Sequence, residues 1–326
     1  MRKKDIKQTA DRAAINNLER KLATARQDTA AAKKLNAVLA AELEKKAGRV
    51  KKTPRPRKTK LNGHIRLILA DTHGSHIDLA SWAAVLNDLK QLPNVKSVVL
   101  LGDILEAGGF LAEHFSPIFF AEAQYSYADD VAAANKFLDE LQTACPAARI
   151  HYLEGNHEGR VEKWIMQTCL RSGEDREFLR RALAPEYLLH LADRGIEYYR
   201  RSEFNDSCDE RGVLRLGKCF FTHQTSSARS AARVSLDRFA GSICYGHTHR
   251  ADSAVTRKPG VGVIAAHNPG CLCALRPLWN VTSSINEWTH GYSIQLVQKS
   301  GEFLHINVPI ISGKSLLAPL VQALTK

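Results

Sequence analysis

From about residue 61 onward, short β-branched apolar runs alternate with amphipathic stretches of helical period, the pattern of a layered α/β domain. HIRLILA (64–70), VKSVVLL (95–101), ARIHYLE (148–154), GKCFFTH (217–223), SICYGH (242–247) and VGVIAAH (261–267) each read as a short buried strand. The first five lead directly into a polar turn bearing His or Asp, and strand ends are where open α/β sheets place ligands. YSIQLVQKSGEFLHINVPI (292–310) reads as two strands joined at Lys299-Ser300-Gly301, with period-two alternation. A terminal helix is expected from about Lys314 to Leu324.

The amino-terminal part has a different texture. From Asp5 to Lys46 there is no Pro or Gly, and Ala, Leu, Lys, Arg, Glu and Gln dominate, so a long helix is expected. In one heptad register its seam is Ile15, Leu18, Leu22, Ala25, Thr29, Ala32, Asn36, Leu39 and Leu43. That seam is apolar at both ends and weak in the middle, so coiled-coil pairing into a homo-oligomer stays open. Residues 45–60, KKAGRVKKTPRPRKTK, hold nine cations, no acid and two prolines, and cannot bury enough surface to fold alone. The chain thus divides into a long helix over 1–47, a disordered basic linker over 48–62 and a folded domain over 63–326.

Charge sharpens this division. The net charge is +12, yet residues 1–60 carry 19 Lys+Arg against 6 Asp+Glu and the remainder 27 against 28. The basicity therefore lies in an appended segment, which reads either as a solubilising spacer or as an arm that contacts the phosphates of a nucleic acid. No apolar run approaches a membrane span. The first thirty residues lack the continuous apolar stretch of a secretory signal, and the seven cysteines are scattered. The expectation is a cytoplasmic protein with reduced thiols and no membrane partner.

The strand ends, taken in order, carry Asp71-x-His73, Gly102-Asp103, Gly155-Asn156-His157-Glu158, Thr222-His223 and Gly246-His247-Thr248-His249. Carboxylates and imidazoles suit Mn, Fe, Zn and related ions, and the absence of cysteine from the set argues against a structural zinc site. Each motif alone also reads as an ordinary turn, with a glycine that lets the backbone bend. The ordered set is what carries weight.

D-x-H, GD, GNH(E/D), H and GHxH in that order resemble the calcineurin-like metallophosphoesterase superfamily, over roughly residues 65–310. The length, tail and Ala-rich style are similar to those of virus-encoded members, a likeness that would put the protein in a host cytoplasm. The resemblance implies a four-layer αββα sandwich of two mixed sheets with a binuclear centre at the strand ends. It also implies that Asp71, His73 and His249 take one metal, that Asn156, His223 and His247 take the other, and that Asp103 bridges both. Two divalent cations are implied, Mn first, with Fe, Zn, Ni and Mg as alternatives. Hydroxide held between two such cations is a nucleophile at neutral pH.

By the same resemblance His157 is the leaving-group acid, with Glu106 as its orienting carboxylate where family members commonly have Asp. The plainer readings are a hydrogen-bonding residue beside the ligands for His157 and a surface carboxylate for Glu106. Arg160 and Arg250 are placed to reach a phosphate oxygen, or are solvated surface arginines. The segment 107–130, AGGFLAEHFSPIFFAEAQYSYADD, carries Phe115, Phe119, Phe120, Tyr125 and Tyr127. These aromatics either stack bases or, by their helical spacing, pack a helix on the sheet.

The expected activity is that of a metal-dependent phosphodiesterase or nuclease acting on DNA or RNA, since a basic arm raises the local concentration of a polyanion. A phosphomonoesterase acting on nucleotides or phosphoproteins is the alternative. A non-catalytic binding module is a third, disfavoured because every motif keeps its ligands.

Overall fold

A computed structural model of the protein describes residues 63–111, 125–169, 173–277, 286–317 and 319. The expected long helix over 1–47, the linker over 48–62 and the phenylalanines at 115, 119 and 120 lie outside these residues.

Two mixed sheets stack face to face. The seven-stranded sheet has the order β12-β11-β10-β1-β2-β3-β4. Its strands are β1 (His64–Leu69), β2 (Val95–Leu100), β3 (Arg149–Leu153), β4 (Glu197–Tyr199), β10 (Gly291–Val297), β11 (Phe303–Ile311) and β12 (Lys314–Ser315). From β1 to β4 the pairing is parallel, and β10 and β11 join antiparallel. The second sheet has the order β5-β6-β7-β9-β8, formed by β5 (Leu214–Leu216), β6 (Cys219–Thr222), β7 (Ser242–Tyr245), β8 (Ala251–Lys258) and β9 (Gly262–Pro269).

Helices cover the outer faces. The first sheet carries α1 (Leu79–Leu89), α2 (Tyr127–Ala144) and α3 (Asn156–Thr168), followed by α4 (Gly173–Leu183), α5 (Pro185–Leu188) and α6 (Leu191–Arg194). The second sheet carries α7 (Ala231–Arg238). Asp78 caps α1 by accepting from the Ser81 amide at 2.7 Å, and Ser126 caps α2.

The continuous apolar runs of β1 and β2 are explained by burial on both faces. Leu67, Leu69, Val98 and Leu100 pack toward the helices with Val85 and Leu138. Their alternates Ile68, Val99 and Leu101 meet Phe221 and Cys244 between the sheets. Leu236 of α7 packs with Ile243, Tyr245 and Ala266 on the far side. Each such side chain removed from water contributes about 2 kcal/mol. The three apolar layers between four structural layers form the αββα sandwich.

One expectation needs correction, and one strand went unforeseen. Lys314 and Ser315 do not begin a helix: they pair with Ile311 and Ile310 as β12, because Ser312 and Gly313 both take positive φ and fold the chain back. Of the remainder of the expected terminal helix, Leu317 and Pro319 are helical, and residues 318 and 320–324 lie outside the described residues. The strand β8 escapes a hydrophobicity reading because ADSAVTRK is an edge strand, exposed or half-buried throughout. No helix among the described residues is long and apolar enough to cross a membrane.

Candidate metal centre

The parallel strands β1, β2 and β3 of one sheet and β6 and β7 of the other deliver their carboxyl ends to one edge of the sandwich. Beyond β1 and β2 the backbones stay zipped: Asp71 N donates to Gly102 O at 3.1 Å, His73 N to Asp103 O at 3.0 Å and Gly74 N to Ile104 O at 2.7 Å. Gly102 faces Gly155 closely. A Cβ on Gly102, at φ +99°, would lie 2.7 Å from Gly155 Cα and 2.8 Å from His223 Nδ1. A Cβ on Gly155 would strike the Asp103 carboxylate at 2.1 Å.

Backbone strain concentrates here. Nine non-glycine described residues have positive φ, and five of them are Asp71, His73, Asp103, His247 and His249. Left-handed backbone costs about 1–3 kcal/mol at a non-glycine residue and persists where the surroundings over-determine it. The turns thereby aim side chains two apart in sequence into one cavity.

All seven expected ligands are brought together, and all but two are buried outright. Asp71, His73, Asp103 and His249 offer donor atoms mutually within 4.8 Å, as do Asp103, His223 and His247. Asp103 belongs to both groups. Its Oδ1 accepts from the His157 amide at 2.9 Å, while Oδ2 stands 3.2 Å from His223 Nε2 and 4.0 Å from His73 Nε2. Asn156 Oδ1 lies 2.8 Å from His223 Nε2 and 2.7 Å from His247 Nδ1. His73 Nε2 and His249 Nε2 are 3.0 Å apart, and His249 Nε2 is 3.5 Å from Asp71 Oδ1. Donors at right angles on one cation with bonds of about 2.1 Å stand about 3.0 Å apart, so these spacings fit the edges of coordination polyhedra.

The electrostatics also fit cations. Burial alone lowers the pKa of His73, but Glu106, Asp103 and Asp71 outweigh it and raise the ring to about 10. His223 goes the same way, to about 9, with Asp103 the main cause against burial. Burial opposes the charge of Asp103, yet His223, His157 and His73 hold its carboxyl well below the usual range. The field is negative at His73 and His223, whereas burial first, then the neighbouring His223, lowers His247 to about 4. Nδ1 of His223 donates to Leu101 O at 2.8 Å, which leaves Nε2 as the lone-pair nitrogen facing the cavity.

His157 lies at the edge of the cavity, and its orienting partner differs from expectation. Nδ1 of His157 donates to the peptide oxygen of Glu106 at 2.6 Å, with the Glu106 carboxylate at 3.5 Å. That carboxylate instead takes Nδ1 of His73 at 2.6 Å. The longer side chain reaches past His157 to the first strand end. Arg160, one helical turn along α3, bonds His157 Nε2 at 3.1 Å and donates to Glu106 O at 3.1 Å. Arg250 points elsewhere, pairing with Glu287 at 3.1 Å and donating to Ala228 O at 2.8 Å. Its guanidinium thus has partners of its own, as that of Arg160 does. Tyr127 is buried with its hydroxyl on Leu183 O, and Tyr125 donates to Asp130, so neither has a free hydroxyl for substrate.

Sequence reasoning overlooked the supports. Glu158 is fully buried and accepts from the amides of Asp103, Ile104, Leu105 and Gly155 and from the Tyr152 hydroxyl. Asp130 accepts from the amides of Ser75, Glu106 and Ala107. Glu158 stands inside the GNHE motif but its spacing does not tell support from ligand, and nothing marks Asp130 at all. Cys273, excluded with the other cysteines, sits with His73 and His249 in a third donor group, its Sγ 3.9 Å from His249 Nδ1.

A family model described as calcineurin-like phosphoesterase matches residues 66–251. No curated protein matches the sequence. Among solved structures, a serine/threonine phosphatase from Saccharomyces cerevisiae with similarity to human phosphatase PP5 aligns at 12% identity and TM-score 0.32, covering 86% of this chain and 90% of that one. PhoD aligns at 11% identity and TM-score 0.36, covering 78% and 70%. The purple acid phosphatase PPD1 from yellow lupin seeds aligns at 12% identity and TM-score 0.27, covering 77% and 54%.

Proposed function

The chain belongs to the calcineurin-like phosphoesterase family and is a metal-dependent phosphoric ester hydrolase; from that premise we propose that its substrate is a phosphodiester of a nucleic acid or nucleotide. The observation that carries the reading is Asp103, whose carboxylate is shared by two separate donor groups. Asp71, His73 and His249 would hold one divalent cation, Asn156, His223 and His247 a second, with Asp103 reaching both. Bound there, the two cations supply Lewis acidity toward the phosphoryl oxygens and activation of water at neutral pH.

The chain's own residues do the rest. Glu106 and Leu101 O fix the ring orientations of His73 and His223. Arg160 presents a planar guanidinium beside His157, suited to a non-bridging phosphate oxygen. Burial first, with His73 and Arg160 adding to it against Asp103 and Glu106, pushes His157 down to about 4. Its Nε2 accepts from Arg160 at 3.1 Å. A phosphate oxygen that drew the guanidinium away would free the Nε2 lone pair to take a proton from solvent and pass it to the departing oxygen.

The diester reading is supported by the charge of residues 1–60, which confine nearly all the chain's basicity to one segment. The test is the purified protein with Mn, assayed in parallel on single-stranded DNA, duplex DNA, RNA, a bis-aryl phosphate and an aryl monophosphate, with Asp103→Asn as control. Cleavage of diesters that is lost with Asp103→Asn supports the proposal. Hydrolysis of the monoester alone overturns it in favour of a phosphomonoesterase.

A further inference from the structure

An imidazole serves a cation with one nitrogen only when the other carries the proton and has an acceptor to give it to. The four candidate histidine ligands can therefore be sorted by what stands behind each ring. For two of them the acceptor is strong: Glu106 takes Nδ1 of His73 at 2.6 Å and Leu101 O takes Nδ1 of His223 at 2.8 Å. His247 and His249 share the turn after β7 and present opposite nitrogens to the cavity. His247 Nδ1 lies 2.7 Å from Asn156 Oδ1. His249 Nε2 lies 3.0 Å from His73 Nε2 and 3.5 Å from Asp71 Oδ1.

Behind His249 stands a thiol. Cys273 Sγ is 3.9 Å from Nδ1, and both residues are buried. Leu272 N donates to Asp71 O at 3.2 Å and Ala274 N to His76 O at 2.8 Å, so Cys273, between them, is stitched to the turn that carries Asp71 and His73. The Trp288 ring flanks His249 with centroids 4.0 Å apart and fixes the plane of the imidazole. A ring flipped within that plane would set carbons where the nitrogens now stand, and the sulfur acceptor selects against the flip. Nδ1 and Nε2 point to opposite edges of the ring, so a sulfur at Nδ1 supports the ligand from behind.

Behind His247 stands a hydroxyl. Ser227 Oγ lies 3.0 Å from Nε2, and Gln224 Nε2 donates to the same oxygen at 3.3 Å. Ser227 is exposed, on the loop between β6 and α7.

We propose that Cys273 and Ser227 are positioning residues, each holding one histidine of the Gly246–His249 turn for a different cation; this rests on the two-cation reading above. Cys273 serves the cation of Asp71, His73 and His249, and Ser227 serves that of Asn156, His223 and His247. The first group has two carboxylates, Asp71 and the shared Asp103, and its histidine supports are buried. The second has the shared carboxylate alone and one support open to water. The first site therefore binds its cation more tightly, and each support tunes one step of filling.

The test is calorimetric titration of the metal-free full chain with Mn²⁺, which should show two steps. Cys273→Val, which keeps the volume and loses the acceptor, should weaken the tighter step about tenfold and leave the other. Ser227→Ala should weaken only the second step, again about tenfold, and Ser227→Thr, which keeps the hydroxyl, should restore it. A substitution that merely loosened the fold would move both steps together. Two wild-type steps that neither substitution moves, or that either substitution moves alike, overturn the proposal. Loading with Co²⁺ separates support from ligand: a sulfur-to-cobalt charge-transfer band that vanishes in Cys273→Val would make Cys273 a ligand and overturn its positioning role. A wild-type chain that takes up fewer than two cations overturns the two-cation reading, and this proposal with it.

Discussion

The Glu106 carboxylate lies 2.6 Å from Nδ1 of His73, so His73 donates there and turns Nε2 toward His249 and Asp103. A carboxylate behind a ligating imidazole fixes its tautomer and raises its basicity. Glu106→Ala should therefore weaken divalent-cation binding about 10–100-fold, measured by competition with a chromophoric chelator. Glu106→Gln, which still presents an acceptor oxygen, should recover part of that loss.

His157 contacts the cavity's edge without joining the two donor groups that share Asp103. His157→Asn should lower turnover about 10²–10⁴-fold while metal content stays at the wild-type level. Loss of metal along with activity would instead make His157 a ligand.

The two arginines should separate cleanly. Arg160 is bonded to His157 and Glu106 O, so Arg160→Ala should raise KM and lower kcat, with a combined loss of about 2–3 kcal/mol in transition-state binding. Arg250 is committed to Glu287 and Ala228 O. Arg250→Ala should change kcat/KM less than about twofold, the scale of a surface substitution.

Glu158 gathers four backbone amides and one hydroxyl in a fully buried site. Removing it leaves those donors without an acceptor, at about 3–5 kcal/mol. Glu158→Ala should lower the thermal midpoint by about 6–20 °C, and should release metal at the same time.

His267 and His305 stack with ring centroids 3.8 Å apart and belong to neither donor group that shares Asp103. Burial pushes His267 down to about 4; burial, then its neighbour His267, pushes His305 down to about 3 against its bond to Asn307. Both are neutral in the fold, while the unfolded chain takes up protons near the ordinary value of 6.5. Their stability is thus present above pH 6.5 and is lost as pH falls from there toward 4, at up to about 1.4 kcal/mol per unit per ring. Denaturant melts of the metal-free protein between pH 7 and 5 should show a shallower slope in His305→Asn.

The strands and their polar turns are readable because continuous apolar runs such as HIRLIL need two buried faces, and a His or Asp at their ends has no part in a core. The convergence of Asp71, His73, Asp103, Asn156, His223, His247 and His249 is readable only as an ordered set. Glu158 and Asp130 are not, because an acceptor for main-chain amides needs no fixed spacing from its donors. That the Glu106 carboxylate stands closer to His73 than to His157 is hidden for a related reason: sequence offset does not say whether a carboxylate or a peptide oxygen faces the ring. The edge strand β8 is hidden by its polarity, and β12 by the left-handed turn at Ser312 and Gly313.

The cavity's donors arrive from five strand ends in two sheets, with nearly 180 residues between Asp71 and His249. No fragment that lacks one of these strand ends therefore carries the whole centre. A single proteolytic nick followed by separation of the pieces would abolish cation binding wherever it fell between those two residues, so cation retention can serve as an assay for the integrity of the whole sandwich.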